Sequence, residues 1–179
     1  MAKENFKVSM RGYSNPSISN CHMDNDKNSI SFYKVKNSSI QNVSYYVETY
    51  TGAIILSASN GNIIQNNIYE NHWGVDITVG TDSGNNIIKN STFTDSPYDP
   101  IYAIEIWKSA GEGNKIIKNN IYPPVWSDVH SYWHENYYKP GWLRLHFKVL
   151  SLFPIIIRGW PVINIDWHPA RHPYDIQWS

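Results

Sequence analysis

Three stretches of the chain repeat one another: GNIIQNNIY at residues 61–69, GNNIIKNSTF at 84–93 and GNKIIKNNIY at 113–122. They share a template of one apolar residue, two further residues, Asn, one residue and a second apolar or β-branched residue. Two weaker copies begin at Ile18 and Val35. The five copies begin at residues 18, 35, 63, 87 and 116, so the period is 17 to 29 residues. A period of this size predicts stacked structural repeats.

The residue types within the repeats favour β-strands. The apolar segments are short and β-branched, and Gly, Asn, Asp and Ser bound each of them. No stretch keeps the apolar period of about 3.6 residues that an amphipathic helix needs. The sequence therefore predicts an all-β stack of coils and excludes a helical solenoid.

The repeat resembles the right-handed parallel β-helix family, which includes pectate lyases, polygalacturonases and small carbohydrate-binding and sugar-hydrolase repeat domains. The resemblance covers about residues 15–122 and implies about four to five coils, with an outer face that meets carbohydrate. It transfers no catalytic residue, because the chain lacks the paired aspartates and Gly-His turn of polygalacturonases and the arginine base of pectate lyases. It implies an extracellular or surface location, although no apolar stretch of a signal peptide follows the charges of MAKENFKVSM.

The central residue of the template is the candidate for an internal ladder. An inward Asn at the same place in successive coils can bond to the turn backbone and to its neighbours at the strand spacing of ~4.8 Å. The alternative is that these asparagines are exposed turn residues. The predicted ladder consists of Cys21, Ser38, Asn66, Asn90 and Asn119.

A second strand follows the repeat and carries the candidate catalytic residues. In residues 74–79 and 103–108, alternation points Asp76 and Glu105 outward, and we expect them to be stacked neighbours. Two carboxylates one rung apart are near the ~5–5.5 Å separation of retaining glycosidases. The pair thus predicts hydrolase or lyase chemistry, a calcium site, or a solvated face without a task.

The loops that precede these strands are rich in aromatic residues, which suit the C–H faces of sugar rings. They predict a shallow groove on the outer face, and the alternative is that the loops fold back and bury their tyrosines. The sequence thus predicts a module that binds poly- or oligosaccharide, with an enzyme on glycans and a structural adhesin fragment as alternatives. The candidate substrate-binding residues are Tyr46, Tyr50, His72, Trp73, Tyr98, Tyr102 and Trp107, with Tyr45 as a further groove wall and Glu48, Glu70, Asp95 and Asp99 near the rim.

Charge and composition limit the partners. Fifteen basic and fifteen acidic residues give a net charge of zero, which argues against a nucleic-acid partner. A single cysteine excludes an internal disulfide. The apolar run VLSLFPIII is too short to span a bilayer.

The chain changes character near Pro123, so we divide it into a β-helix over residues 1–122 and a C-terminal segment over 123–179. Eighteen of the twenty asparagines lie at or before residue 120, whereas six of the eight tryptophans follow residue 123. Strands are predicted at 142–149, 155–157 and 162–167, the last two as an antiparallel hairpin that caps the stack. The alternative is an extension of different origin that is partly disordered.

Two histidine pairs in this segment have the spacing of metal ligands on a helix. They are His130 with His134 and His168 with His172. Pro169 and Pro173 argue against a helix at the second pair, and zinc sites usually need a third ligand.

Overall fold

The structure is a computed structural model that describes residues 7–24, 29–47, 53–71, 75–94, 102–122, 124–138, 154–157, 159 and 162–176. These residues form strands and turns, and none of them is in a helix, so no described segment has the form of a membrane-spanning helix. The strands are β1 (Lys7–Arg11), β2 (Ser17–Asp24), β3 (Ser29–Tyr33), β4 (Ser39–Val47), β5 (Ile54–Ser57), β6 (Ile63–Gln65), β7 (Ile68–Asn71), β8 (Val75–Val79), β9 (Ile87–Lys89), β10 (Thr92–Phe93), β11 (Tyr102–Ile106), β12 (Lys115–Ile117), β13 (Asn120–Ile121), β14 (Val125–Ser127), β15 (Tyr132–His134), β16 (Tyr137–Tyr138), β17 (Ile155–Ile157) and β18 (Asn164–Asp166).

The strands stack in parallel, as the repeat predicts. One sheet contains β1, β3, β5, β8, β11 and β14 in that order. The other twelve strands form a second sheet, in which the long strand β4 pairs with β6 along its first half and with β7 along its second half. Each coil thus contributes one strand to the first sheet and a bent strand, or two short strands, to the second. The predicted all-β parallel β-helix is confirmed.

Columns of apolar side chains fill the interior. One column of buried residues runs through Ile30, Ile54, Ile77 and Ile104. A second column is aromatic: the rings of Tyr45 and Tyr69 stack with centroids 5.0 Å apart, and those of Tyr69 and Phe93 with centroids 4.7 Å apart. Each fully buried side chain of this size contributes about 1.5–3 kcal/mol. Repetition of the same burial in every coil holds the stack together.

Corners between strands explain why the repeat is rich in asparagine. The corner residue has a positive φ, for example 55° at Asn66, 48° at Asn90 and 70° at Gly61. Asn and Gly tolerate this left-handed conformation best among the residues. The residue after each corner points inward, where Asn62 and Asn67 are buried. The repeat therefore contains pairs, in which the first member turns the chain and the second enters the core.

Inward polar residues form ladders of hydrogen bonds, two of which contain the asparagines; a third joins Ser59 to Ser83. In the first, the backbone N–H and the side-chain amide of Asn62 both donate to Asn86 Oδ1, at 3.0 and 2.9 Å, and Asn86 donates in the same way to Asn114. In the second, Ser91 N–H donates to Asn119 Oδ1 at 3.0 Å. The first ladder contains Ser38, Asn62, Asn86 and Asn114, and the second contains Asn67, Ser91, Asn119 and Asn136.

The single predicted ladder is therefore wrong. Asn66 and Asn90 are half-buried corner residues, one position before the inward residue. Ser38 and Asn119 lie inside, but in different ladders. Cys21 is half-buried opposite Val43, in the column of the second ladder. The asparagine-rich part of the repeat contains two similar corner–inward pairs, and the template mixed them.

The coils continue beyond the predicted boundary at residues 122/123. Strand β14 pairs with β11, β15 with β12 and β16 with β13, all in parallel. The change in composition therefore precedes the last coil. Strands β17 and β18 form the predicted antiparallel hairpin, and β18 also pairs with β15, which attaches the hairpin to the stack. The strand predicted at 142–149 lies outside the described residues.

Candidate functional site

The two predicted catalytic carboxylates are not stacked. The register pairs Ile77 with Ile104 and Thr78 with Glu105, so Asp76 lies two positions away from Glu105 along its strand. Strand geometry puts the two Cα atoms about 8 Å apart. Asp76 is also buried, at 2% exposure, whereas it was expected to face solvent. The stacking prediction is wrong, and the hydrolase, lyase and calcium hypotheses lose the geometry on which they rested.

The predicted aromatic groove is only partly described. Tyr50, His72, Trp73 and Tyr98 lie outside the described residues, as do Glu48, Asp95 and Asp99. Tyr46 and Tyr102 are half-buried, and Glu70 is exposed.

Two of the tyrosines have ring partners. The ring of Tyr102 lies 5.9 Å from that of Trp126. Tyr45 was predicted to wall the groove but is buried at 1% exposure in the aromatic column of the core, so its predicted place is wrong.

Of the predicted substrate-binding residues that the structure describes, Trp107 is the exposed one, with 46% of its surface accessible. It follows β11, and its backbone N–H donates to Val79 O at 3.0 Å, which places it beside Gly80. A Cβ atom built on Gly80 would lie 3.7 Å from the indole ring, so the ring covers this glycine. The next two coils back contribute Ser57 and then Tyr33 at the same position of the first sheet.

These four positions form what we call the aromatic track: Tyr33, Ser57, Gly80 and Trp107. Exposed rings stand at its two ends, since Tyr33 is 38% exposed, and small residues form its middle. Three strand spacings separate the ends by about 14 Å. Sequence reasoning singled out Trp107 but missed the track, because nothing in the pattern of one coil tells which residues of other coils lie beside it.

A second surface site lies where the hairpin meets the last coil. The rings of His134 and His168 are 5.4 Å apart between centroids and nearly perpendicular, at 85°. They line a pocket of about 590 Å³ together with His130, Tyr132 and Trp167. Tyr132 is 52% exposed and Trp167 is 64% exposed. We call this the cap pocket.

The cap pocket corrects the predicted histidine pairs. Residues 132–134 are a strand, so His130 and His134 are not neighbours on a helix, and residues 168–172 are not helical. The contacting pair takes one histidine from each predicted pair, through the alignment of β15 with β18. Across the parts of the chain that the structure describes, no group of three or more His, Cys, Asp or Glu side chains is arranged to hold a metal.

The match to a known family covers the coils. The family model described as "NosD: Periplasmic copper-binding protein (NosD)" matches residues 4–128. The matched range includes the aromatic track and ends just before the cap pocket. No curated protein and no solved structure matches the chain.

Proposed function

This chain belongs to the NosD family of β-helix proteins, and on that premise we propose that it is a rigid binding module whose aromatic track binds an oligosaccharide. The observation that carries the proposal is the pair of exposed rings, Tyr33 and Trp107, at the two ends of a floor made of Ser57 and Gly80. Flat aromatic faces pack against the C–H faces of sugar rings and leave the hydroxyl groups at the ring edges free to bond.

The backbone supports such a role because it fixes the spacing of the rings. Tyr33 ends β3 and Trp107 directly follows β11, and the backbone of each is hydrogen-bonded to the preceding coil. A preformed site avoids part of the entropy loss of binding. An extended chain of about three sugar units fits the length of about 14 Å between the rings.

The test is a glycan array with three variants. Trp107→Ala and Tyr33→Ala each remove a ring, and we expect each to weaken retention of the bound glycans by about tenfold, equivalent to ~1.4 kcal/mol. Trp167→Ala is the matched control, because it removes an indole outside the track that is even more exposed than that of Trp107. Equal retention by all three variants would remove the track as the binding site.

Copper is the second candidate ligand, since the family description names it. Metal–imidazole bonds of about 2.0–2.1 Å place two ligating rings roughly 4.5–6 Å apart between centroids, depending on the angle at the metal. The spacing of 5.4 Å between His134 and His168 falls in this range. Two imidazoles suit copper, and other positions would be left to water or a partner.

The copper proposal is tested by titration with Cu²⁺ under electron paramagnetic resonance. We expect nitrogen couplings from two imidazoles in the parent protein, and their loss in His134→Ala and in His168→Ala. His172→Ala is the control, because His172 is an exposed histidine of the same segment that does not line the cap pocket. Unchanged spectra in the first two variants would exclude the cap pocket as the copper site.

A further inference from the structure

The end of the aromatic track at Tyr33 is strongly basic. The guanidinium carbon of Arg11 lies 5.0 Å from the centroid of the Tyr33 ring, and the ammonium nitrogen of Lys34 lies 5.3 Å from it. Lys36 is exposed nearby in the same turn. Tyr13, on the preceding coil, is 60% exposed and accepts a backbone hydrogen bond from Lys36 N–H. Three cations and two accessible tyrosine rings thus share one corner of the first two coils.

Among the described side chains of the first two coils, no carboxylate neutralises these cations. Residues 7–23 and 29–47 carry four Lys or Arg side chains and contain no Asp or Glu. Backbone hydrogen bonds at this corner join the coil of Lys34 to the coil of Ala58, and the coil of Ala58 to the coil of Asp82. Asp82 is therefore about 10 Å from Lys34, at two strand spacings. The described charges around Tyr33 are thus all positive, although the whole chain has a net charge of zero.

The opposite end has a mixed charge. Lys108 follows Trp107, and Asp128 lies beside Trp107 because its N–H donates to Ile106 O at 2.9 Å. The carboxylate of Asp128 repels a ligand that carries a negative charge on every unit. The two ends of the track therefore differ in charge, although each carries an exposed aromatic ring.

We propose that the track selects an oligosaccharide that bears a carboxylate or sulfate group on the unit bound beside Tyr33, with an uncharged unit at Trp107. This inference rests on the proposed function and specifies the class of glycan. The ring contacts hold Arg11 and Lys34 beside Tyr33 and leave their N–H donors for an oxyanion. Arg11 can bind a carboxylate through two parallel hydrogen bonds.

An acidic glycan fits better than a nucleic acid. A polyphosphate carries a charge at every unit and would meet the carboxylates of Asp82 and Asp128 further along the surface. A saccharide that is charged at some units only can leave those positions neutral. Single-stranded DNA is accordingly included as a competitor in the test.

The experiment uses the full chain on an array of neutral, uronic-acid and sulfated oligosaccharides. Arg11→Gln and Lys34→Asn remove one cation each, and Asn suits the positive φ of 55° at residue 34. We expect each variant to bind the acidic glycans about three- to fivefold more weakly at low salt and the neutral glycans unchanged, as exposed charge pairs do. Lys115→Gln, an exposed lysine on the other sheet, is the control.

The outcomes separate this inference from the proposed function. Retention of neutral glycans only, or equal losses for neutral and acidic glycans in the two variants, would overturn the inference and leave the proposed function standing. Preferential binding of single-stranded DNA would overturn the inference as well. Silence across the whole array would overturn the proposed function itself.

Discussion

The coils accept inward backbone N–H groups with amide and hydroxyl side chains, whereas the hairpin cap accepts them with one amide, Asn164, and one carboxylate, Asp166. In the coils an amide accepts from the preceding coil and donates to the next: Asn86 Oδ1 accepts from Asn62, and Asn86 Nδ2 donates to Asn114 Oδ1 at 3.1 Å. In the cap the second ladder ends on a carboxylate, Asp166, which is fully buried. The acceptor therefore changes from an amide to a carboxylate at the end of the second ladder.

The hydrogen bonds of Asp166 explain this choice. Its Oδ2 accepts from the backbone N–H of Asn136 at 3.1 Å, from the side-chain amide of Asn136 at 3.0 Å and from the Tyr138 hydroxyl at 3.3 Å. Its Oδ1 accepts from His168 N–H at 3.2 Å. An ionised carboxylate only accepts, so it can end a ladder of donors without leaving a donor of its own unpaired. Burial first, and then the nearby Asp166 carboxylate, raise the pKa of Tyr138 well above its ordinary value.

The largest effect is expected from removal of this end group. Asp166→Ala removes the acceptor of the Asn136 backbone N–H, of one Asn136 amide hydrogen and of the Tyr138 hydroxyl. Unpaired buried donors cost about 1–3 kcal/mol each. We expect the free energy of unfolding to fall by about 3–6 kcal/mol in urea titrations.

Asp166→Asn is the matched control, because its carbonyl oxygen still accepts from Asn136 while its NH₂ group adds a donor. We expect a smaller loss than in Asp166→Ala. Equal stability of the alanine variant and the parent chain would show that the ladder does not need an acceptor at its end.

A substitution within the ladder and one at a corner are expected to lower the free energy of unfolding by different amounts. Both losses are expected to be smaller than that of Asp166→Ala. Asn86→Ala removes an acceptor of two hydrogen bonds from Asn62, and we expect a loss of about 2–4 kcal/mol. Asn90→Ala keeps the ladder but forces alanine into a φ of 48°, which costs about 1–2 kcal/mol.

Asn90→Gly separates the two causes, because glycine adopts the corner conformation without strain. We expect this variant to be more stable than Asn90→Ala in the same urea titration. If Asn90→Ala were as damaging as Asn86→Ala, the distinction between corner and ladder would not hold.

The comparison also shows what a repeat sequence predicts and what it leaves open. The β-strands of the coils, their parallel stacking and the final hairpin follow from local sequence patterns and are confirmed, whereas the strand predicted at 142–149 lies outside the described residues. The register between coils does not follow from such patterns. A shift of two residues keeps the alternation of inward and outward side chains, so the pattern cannot distinguish Asp76 opposite Glu105 from the observed pairing of Thr78 with Glu105.

The same limit applies to the two surface sites. Tyr33 and Trp107 are 74 positions apart in the numbering, and His134 and His168 are 34 apart. Each pair is brought together by strand register alone, because the intervening loops differ in length from coil to coil. Residue type identified Trp107 and the histidines as candidates, and only the stacking of coils shows their neighbours.

The smallest effect at neutral pH is expected in the aromatic column, where the coils differ in one hydroxyl group. The column contains Tyr45, Tyr69 and Phe93. Tyr69 OH accepts a hydrogen bond from Asn67 at 3.3 Å, whereas Tyr45 OH is buried with no hydrogen-bond partner among the described residues. Tyr45→Phe therefore gives the column a second phenylalanine, and we expect stability at pH 7 to stay equal or to rise by up to about 1 kcal/mol.

The pH dependence of Tyr45→Phe provides the sharper measurement. Burial raises the pKa of Tyr45 well above the value of 10.0 that applies in the unfolded chain. Above pH 10 the unfolded state therefore releases a proton that the folded state keeps, so stability falls as the pH rises, by up to about 1.4 kcal/mol per pH unit for one group. Phenylalanine has no such proton, so the alkaline loss in urea titrations between pH 9 and 11 should be shallower in Tyr45→Phe than in the parent chain. Tyr69, whose pKa is also raised by burial, contributes to the alkaline loss of stability in both the parent chain and Tyr45→Phe. Parallel alkaline curves would mean that Tyr45 ionises as readily in the folded chain as in the unfolded one.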